Sequence, residues 1–108
     1  MSSVYEEKRD YLSRYLVLQA KINRLKEQSL INTENSEVYN KEIHKARTAR
    51  DSIEQGIMNM SSEIESEILA QKYLLGKTLE ETADILNYSK RQIERLHVKA
   101  LEHITIKT

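Results

Sequence analysis

The stretch "GKTLEETADILNYSKRQIERLHVKALEHI", residues 76–104, carries two helix-start signals eleven residues apart. Thr78 is followed three positions later by Glu81, the spacing of a capping box, in which hydroxyl and carboxylate each accept a hydrogen bond from the other's backbone amide. Ser89 opens a second helix whose run contains Lys90, Arg91, Arg95 and Lys99. The first helix is predicted over residues 79–86, with Leu79, Ala83 and Leu86 toward the core. Ala83 must be small because two helices cross closely there. Asn87 and Tyr88 make the turn. Its first residue needs a positive φ, and asparagine tolerates the left-handed region after glycine. The second helix is predicted from Lys90 to about Ile104, with Ile93, Leu96, Ala100, Leu101 and Ile104 as its buried stripe. Arg91, Gln92, Arg95 and Lys99 lie outside that stripe. The pattern predicts a helix-turn-helix.

A cationic outer side on the second helix suits double-stranded DNA. The start of such a helix enters the major groove. Arginine offers a bidentate donor pair to guanine, and glutamine offers a donor and an acceptor to adenine. Hydroxyls, lysines and free amides at the helix start suit phosphates, which fix position without reading sequence. Arg91, Gln92 and Arg95 are therefore assigned to bases. Ser89, Lys90 and Lys99, with Thr78 and Tyr88, are assigned to the backbone.

Composition agrees with helices. The chain has 108 residues, 31% of them charged, with two glycines, no proline and no cysteine. Strands need β-branched and aromatic residues, and turns need glycine and proline. The absence of cysteine excludes a disulfide framework or a thiolate metal site, and fits a reducing cytoplasm. No apolar run approaches the ~18 residues of a membrane span, and from the polar residues 1–10, which carry both charge signs, no signal peptide is expected. Net charge is zero but unevenly placed. Residues 87–108 hold five Lys/Arg against two acids, and residues 1–86 hold twelve against fifteen. A local basic face of this kind points to nucleic acid.

Upstream, a first helix is predicted over residues 3–30. Tyr11, Tyr15, Leu18, Ile22 and Leu25 form a heptad seam, which Leu12 and Leu16 widen. The polar connector "NTENS", residues 32–36, is short enough to return the next helix antiparallel. That helix, over residues 37–60, continues the seam through Tyr39, Ile43, Ala46, Ile53, Ile57, Met60 and Ile64. Arg50 occupies a seam position, where it marks register or a solvent-facing end. Ser62 with Glu65 is a further capping-box pattern, so a break is expected near residues 59–62. A third helix follows over residues 62–75, with Ile64, Ile68, Leu69, Tyr73 and Leu74 inward, and Gly76 closes it with positive φ.

The segment "ILAQKYLLGKTLEETADILNYSKRQIERLHVKALEHI", residues 68–104, resembles region 4 of the sigma-70 family. The shared features are Tyr73-Leu74-Leu75-Gly76-Lys77-Thr78, Glu81-Thr82-Ala83, Tyr88-Ser89, Arg95-Leu96-His97 and Ala100-Leu101. It looks like the variant carried by small phage and prophage late transcriptional regulators, including the ArpU and RinA types. The likeness covers about residues 64–104. Two departures are Thr82, where the family usually has isoleucine, and Asn87, where glycine is common. The resemblance implies a cytoplasmic, sequence-specific transcriptional regulator that binds DNA.

The combined expectation is an all-α chain. An antiparallel, coiled-coil-like helical hairpin over residues 1–60 serves oligomerisation or partner docking. A sigma region 4-like helix-turn-helix follows over residues 61–108. The seam residues Tyr11, Tyr15, Leu18, Ile22, Leu25, Ile43, Ile53 and Ile57 are the oligomerisation candidates. A dimer would place two heads on half-sites roughly 34 Å apart or a multiple of that. The alternative is a protein–protein adaptor that binds RNA polymerase or another regulator. The small subunit of a phage packaging terminase fits less well, because its helix-turn-helix usually lies at the N-terminus.

Other chemistry is not indicated. His44, His97 and His103 lack the paired spacing of metal ligands, and His97 reads as packing or as a phosphate contact. Tyr5, Tyr11 and Tyr15 read as a helix seam rather than a base-stacking platform. Glu63, Glu65 and Glu67 cluster at a helix start, where the dipole favours negative charge and water solvates it. There is no nucleophile–base constellation, no phosphate-cradling glycine loop, and no cofactor or metal motif. An enzyme is not expected.

Overall fold

The computed structural model describes residues 3–106. The fold is all-α: a long helical hairpin followed by a helix-turn-helix unit. α1 spans Ser3–Ile31, and α2 spans Ser36–Met58 after a single 3₁₀ turn, Thr33–Asn35. α3 (Glu63–Leu69) runs directly into a π-helical turn, Ala70–Leu74. α4 is Leu79–Leu86 and α5 is Lys90–His103.

The hairpin closes along the expected seam. Leu12, Leu18, Ile22 and Leu25 of α1 are buried against Ile43, Ala46, Ile53 and Ile57 of α2, with Tyr11, Tyr15 and Tyr39 partly buried beside them. Two seam expectations need correction. Leu16 stays 42% exposed, and Ile64 leaves the seam for a second core because α2 has already ended at Met58. Arg50 is neutralised where it stands. It donates to Gln19 Oε1 across the hairpin at 2.8 Å and to Asp51 Oδ1 on its own helix. A polar residue at a helix–helix seam thus keeps its donors satisfied.

The seam residues proposed for oligomerisation are used inside one chain. Leu18, Ile22, Leu25, Ile43, Ile53 and Ile57 are all buried without a second copy. Tyr11 and Tyr15 also pack on this core. While α1 and α2 remain zipped together, this seam does not face a partner. The large aliphatics left outside at the hairpin tip are Leu30, Ile31 and Val38.

The same core continues past the hairpin. Leu69, Tyr73, Ala100, Leu101 and Ile104 belong to it. Lys8 of α1 donates to the carbonyl of Glu102 in the last turn of α5 at 3.0 Å, where a cation meets orphan carbonyls and the negative end of the helix. The helix-turn-helix is therefore seated on the hairpin.

The α2–α3 break is built by local hydrogen bonds. Ser62 caps α3 by accepting from the Glu65 amide, and Ser66 Oγ donates at 2.8 Å to the Ile57 carbonyl in the last turn of α2. Only half of the expected capping box forms. The Glu65 carboxylate turns to His103 Nδ1 at 2.8 Å instead, tying the start of α3 to the end of α5. Glu65 is 7% exposed, so it is not the solvated acid its neighbours Glu63 and Glu67 are.

Gly56 lies inside α2, where the chain end crosses it. A Cβ there would sit 3.4 Å from the Thr105 carbonyl oxygen and 3.9 Å from Ile104 Cδ1, which is ordinary contact. Gly56→Ala is expected to stabilise the fold by about 0.5–1 kcal/mol through helix propensity. Gly56→Leu should displace residues 104–105 and destabilise. Urea unfolding of the two variants separates these effects, and an alanine variant weaker than wild type would contradict the fit.

Candidate nucleic-acid interface

The interface is assembled by three local stops. The first is the π turn. Leu75 N donates to Ala70 O and Lys77 N to Gln71 O, so each closing bond reaches one residue farther back than in an α-helix end. Gly76, with φ of +75°, makes this reversal possible. The predicted regular helix over residues 62–75 is therefore α-helical only to Leu69.

The second stop is the start of α4. Thr78 Oγ1 accepts from the Glu81 amide at 3.0 Å, and Glu81 Oε1 accepts from the Thr78 amide at 2.9 Å. Those hydrogen bonds hold the Glu81 carboxyl below its usual range. Thr82, which stands where the resembling family usually has isoleucine, is fully buried, and its hydroxyl donates to Thr78 O at 2.8 Å. The hydroxyl is thereby satisfied without disturbing the apolar contact. Ala83 packs with Ile68 and Ile93 in a small second core, surrounded by Ile64, Leu79, Leu86 and Leu96.

The third stop is the turn between α4 and α5. Asn87 adopts φ 61° and ψ 41°, the left-handed conformation the sequence requires there. Tyr88 N donates to Ala83 O, which closes the end of α4. Ser89 then caps α5 in a second complete capping box. Its Oγ accepts from the Gln92 amide at 3.1 Å, and Gln92 Oε1 accepts from the Ser89 amide at 2.9 Å.

α5 is amphipathic, and its two sides differ sharply. Ile93, His97, Ala100 and Leu101 are buried. His97, rather than Leu96, fills the centre of this stripe, and Leu96 is only half-buried. His97 Nε2 lies 2.9 Å from the Tyr73 hydroxyl, and the two rings stack at 5.8 Å. Burial, with Lys72 and Arg9 nearby, lowers the imidazole to about 4. Burial, with smaller opposed effects from Tyr5 and Arg9, raises the Tyr73 phenol to about 12. His97 is thus a neutral packing residue, and at 4% exposure it is out of reach of a phosphate.

All eight residues assigned to DNA are exposed in the free chain: Thr78, Tyr88, Ser89, Lys90, Arg91, Gln92, Arg95 and Lys99. They all lie on the helix-turn-helix, and the hairpin does not cover them. The ion pairs among the described residues join Lys21 and Lys45 to Glu42, Arg50 to Asp51, and His103 to Glu65. Lys90, Arg91, Arg95 and Lys99 take part in none of them. Gln92 is the exception to a free set. Its carbonyl oxygen is already bound as a cap, which leaves its amide N–H₂ to face outward as a donor. The Ser-x-x-Gln spacing is the sequence signal for that role.

The remaining histidines are structural or solvent-facing. His103 pairs with Glu65, and His44 is exposed on α2. Among the described residues no helix is long and apolar enough to cross a membrane.

Comparison with known proteins adds one finding. Residues 62–105 match the family model for sigma-70, region 4. Searches of curated proteins and of solved structures return no match. The C-terminal part of the chain is therefore sigma-70 region 4-like, with the match beginning at the Ser62 cap of α3 and ending just past α5. That likeness supports a DNA-binding helix-turn-helix in general terms. The hairpin formed by α1 and α2 lies outside it.

Proposed function

We propose that this chain is a sequence-specific DNA-binding transcriptional regulator that inserts the start of α5 into the major groove. The observation that carries the reading is the set of four cations, Lys90, Arg91, Arg95 and Lys99. They stand exposed and unpaired on a helix whose start is fixed by a turn and a capping box. α5 carries these four cations against two acids, Glu94 and Glu102, and where the cations neutralise phosphates the counterions condensed on the duplex are released, which favours binding. Ser89, Thr78 and Tyr88 flank the same entry and suit the phosphates on either side.

A phage or prophage origin, of the ArpU or RinA kind, rests on the resemblance of residues 64–104 alone. The reading needs one head on one duplex. A dimer would have to use a surface other than the heptad seam, which the hairpin consumes.

The test is a binding titration of a labelled random duplex with the full chain at rising salt. The logarithm of the binding constant should fall linearly with the logarithm of salt concentration, by about 0.9 per phosphate neutralised. Lys90→Ala and Lys99→Ala should each reduce that slope by about one. Binding that ignores salt, or no binding to any duplex, would instead favour an adaptor that engages RNA polymerase or another protein.

A further inference from the structure

α5 presents one acid among its outward cations. Glu94 and Arg95 lie three and four residues after Arg91, and Val98 lies four and three after them, so the four share a helix face. All four are exposed and lie outside the buried stripe of Ile93, His97, Ala100 and Leu101. Between Lys90 and Leu101, Glu94 is the one carboxylate. Lys90 lies four residues before it, Arg91 three before it and Arg95 beside it, yet none of them closes an ion pair with it. Glu94 also lies beyond the first turn of α5, where a carboxylate would gain from the helix dipole. It is neither neutralised by a neighbour nor used as a cap.

On a solvated surface such a residue is unremarkable. On a face that enters a DNA groove it has a consequence. Phosphates repel it, and so do the acceptor edges of guanine (O6 and N7) and of thymine (O4). The base edge that suits a lone carboxylate is the N4 amino group of cytosine, which only donates. Adenine offers a donor too, but its N7 acceptor lies beside it.

We infer that Glu94 is a specificity-determining residue that accepts a hydrogen bond from the amino group of a cytosine and rejects guanine and thymine at that position. This rests on the DNA-reading mode proposed above. The arginines supply affinity and read guanine, while Glu94 penalises the wrong base beside it. Removing the carboxylate therefore forfeits one hydrogen bond at the preferred base and lifts a penalty at every other base, so binding to sequences that lack the site should strengthen.

The experiment is selection of bound duplexes from a random pool, with the full chain as wild type, Glu94→Gln and Glu94→Ala. Wild type should enrich cytosine at one position next to guanine. Glu94→Gln should move that position toward adenine, because an amide pairs with adenine as donor and acceptor. Glu94→Ala should lose the preference there, shrinking the penalty for a changed pair about tenfold. The alanine variant should also bind a duplex lacking the site more tightly than wild type. Glu94 has no side-chain partner to lose, so thermal unfolding of both variants should match wild type.

A wild-type preference that both variants keep at every position would overturn the assignment to Glu94 and leave DNA reading intact. Uniformly weaker binding by Glu94→Ala on all sequences would do the same. If wild type selects no sequence at all, both this inference and the reading beneath it fail.

Discussion

Alanine at Arg91 or at Arg95 is expected to remove about 1–3 kcal/mol of discrimination between the preferred duplex and one with the contacted base pair changed. Neither guanidinium has an internal ion-pair partner to lose, so the substitution acts on the bound state and not on the fold. The side chains lie one turn apart on the exposed face of α5, close enough for two adjacent base pairs. Arg91→Lys and Arg95→Lys are the informative controls. Lysine keeps the charge but has no planar fork, so it still attracts phosphates as a point charge and reads guanine worse. Binding to random duplex should survive the lysine changes while the ratio of site to non-site affinity falls. Lys90→Ala and Lys99→Ala should do the reverse, weakening all sequences alike. A competition titration with matched and mismatched duplexes measures both quantities. An unchanged ratio in the arginine-to-alanine variants would remove α5 from the role of reader.

The parts of this fold that were legible in the sequence are those fixed by neighbours in the chain. The bounds of α4 follow from Thr78, Glu81 and Asn87, because a cap and a left-handed residue act within four positions of themselves. The hairpin follows from a seam repeated over many turns, interrupted by a polar connector. What stayed hidden depends on residues far apart. The π turn over Ala70–Leu74 has no local signature. It brings Tyr73 onto His97, twenty-four positions away, and onto the core shared with α1. For His97 the sequence leaves packing and a phosphate contact open, because an imidazole suits both, and only the contact with Tyr73 decides for packing. Glu65 fits a capping box by spacing, yet its carboxylate goes to His103, which only the packing of α3 on α5 brings near. Among the proposed contacts, Gln92 was assigned to bases alone, although the Ser-x-x-Gln spacing is also that of a capping box, which the structure forms. The seam also did not reveal whether its partner would be the same chain or another one, since the heptad pattern is the same in both cases.

His97 should make stability depend on acid. Its side chain is buried, next to the Tyr73 hydroxyl, with Lys72 and Arg9 raising the cost of a second positive charge. The folded value near 4 lies below the ordinary 6.5, so the unfolded chain binds the proton first as pH falls. The neutral ring's contribution is therefore complete above about pH 6.5 and is lost between there and about pH 4. By linkage it amounts to about 3 kcal/mol. His97→Gln isolates it, because glutamine can still pair with the Tyr73 hydroxyl and has no proton to take up. Urea unfolding at pH 7 and at pH 4 should show wild type losing about 3 kcal/mol more than the variant, with the surface carboxylates cancelling in the comparison. Equal losses would mean that the imidazole is not held neutral. Tyr73 works in the opposite direction, since its raised value means that stability is lost only as pH climbs from about 10 toward 12. Between these limits the pair is uncharged and holds α5 against the π turn. The side that carries Arg91 and Arg95 is turned out by the same contact that turns His97 in, so protonating His97 should weaken DNA binding in the acid range in which it lowers stability.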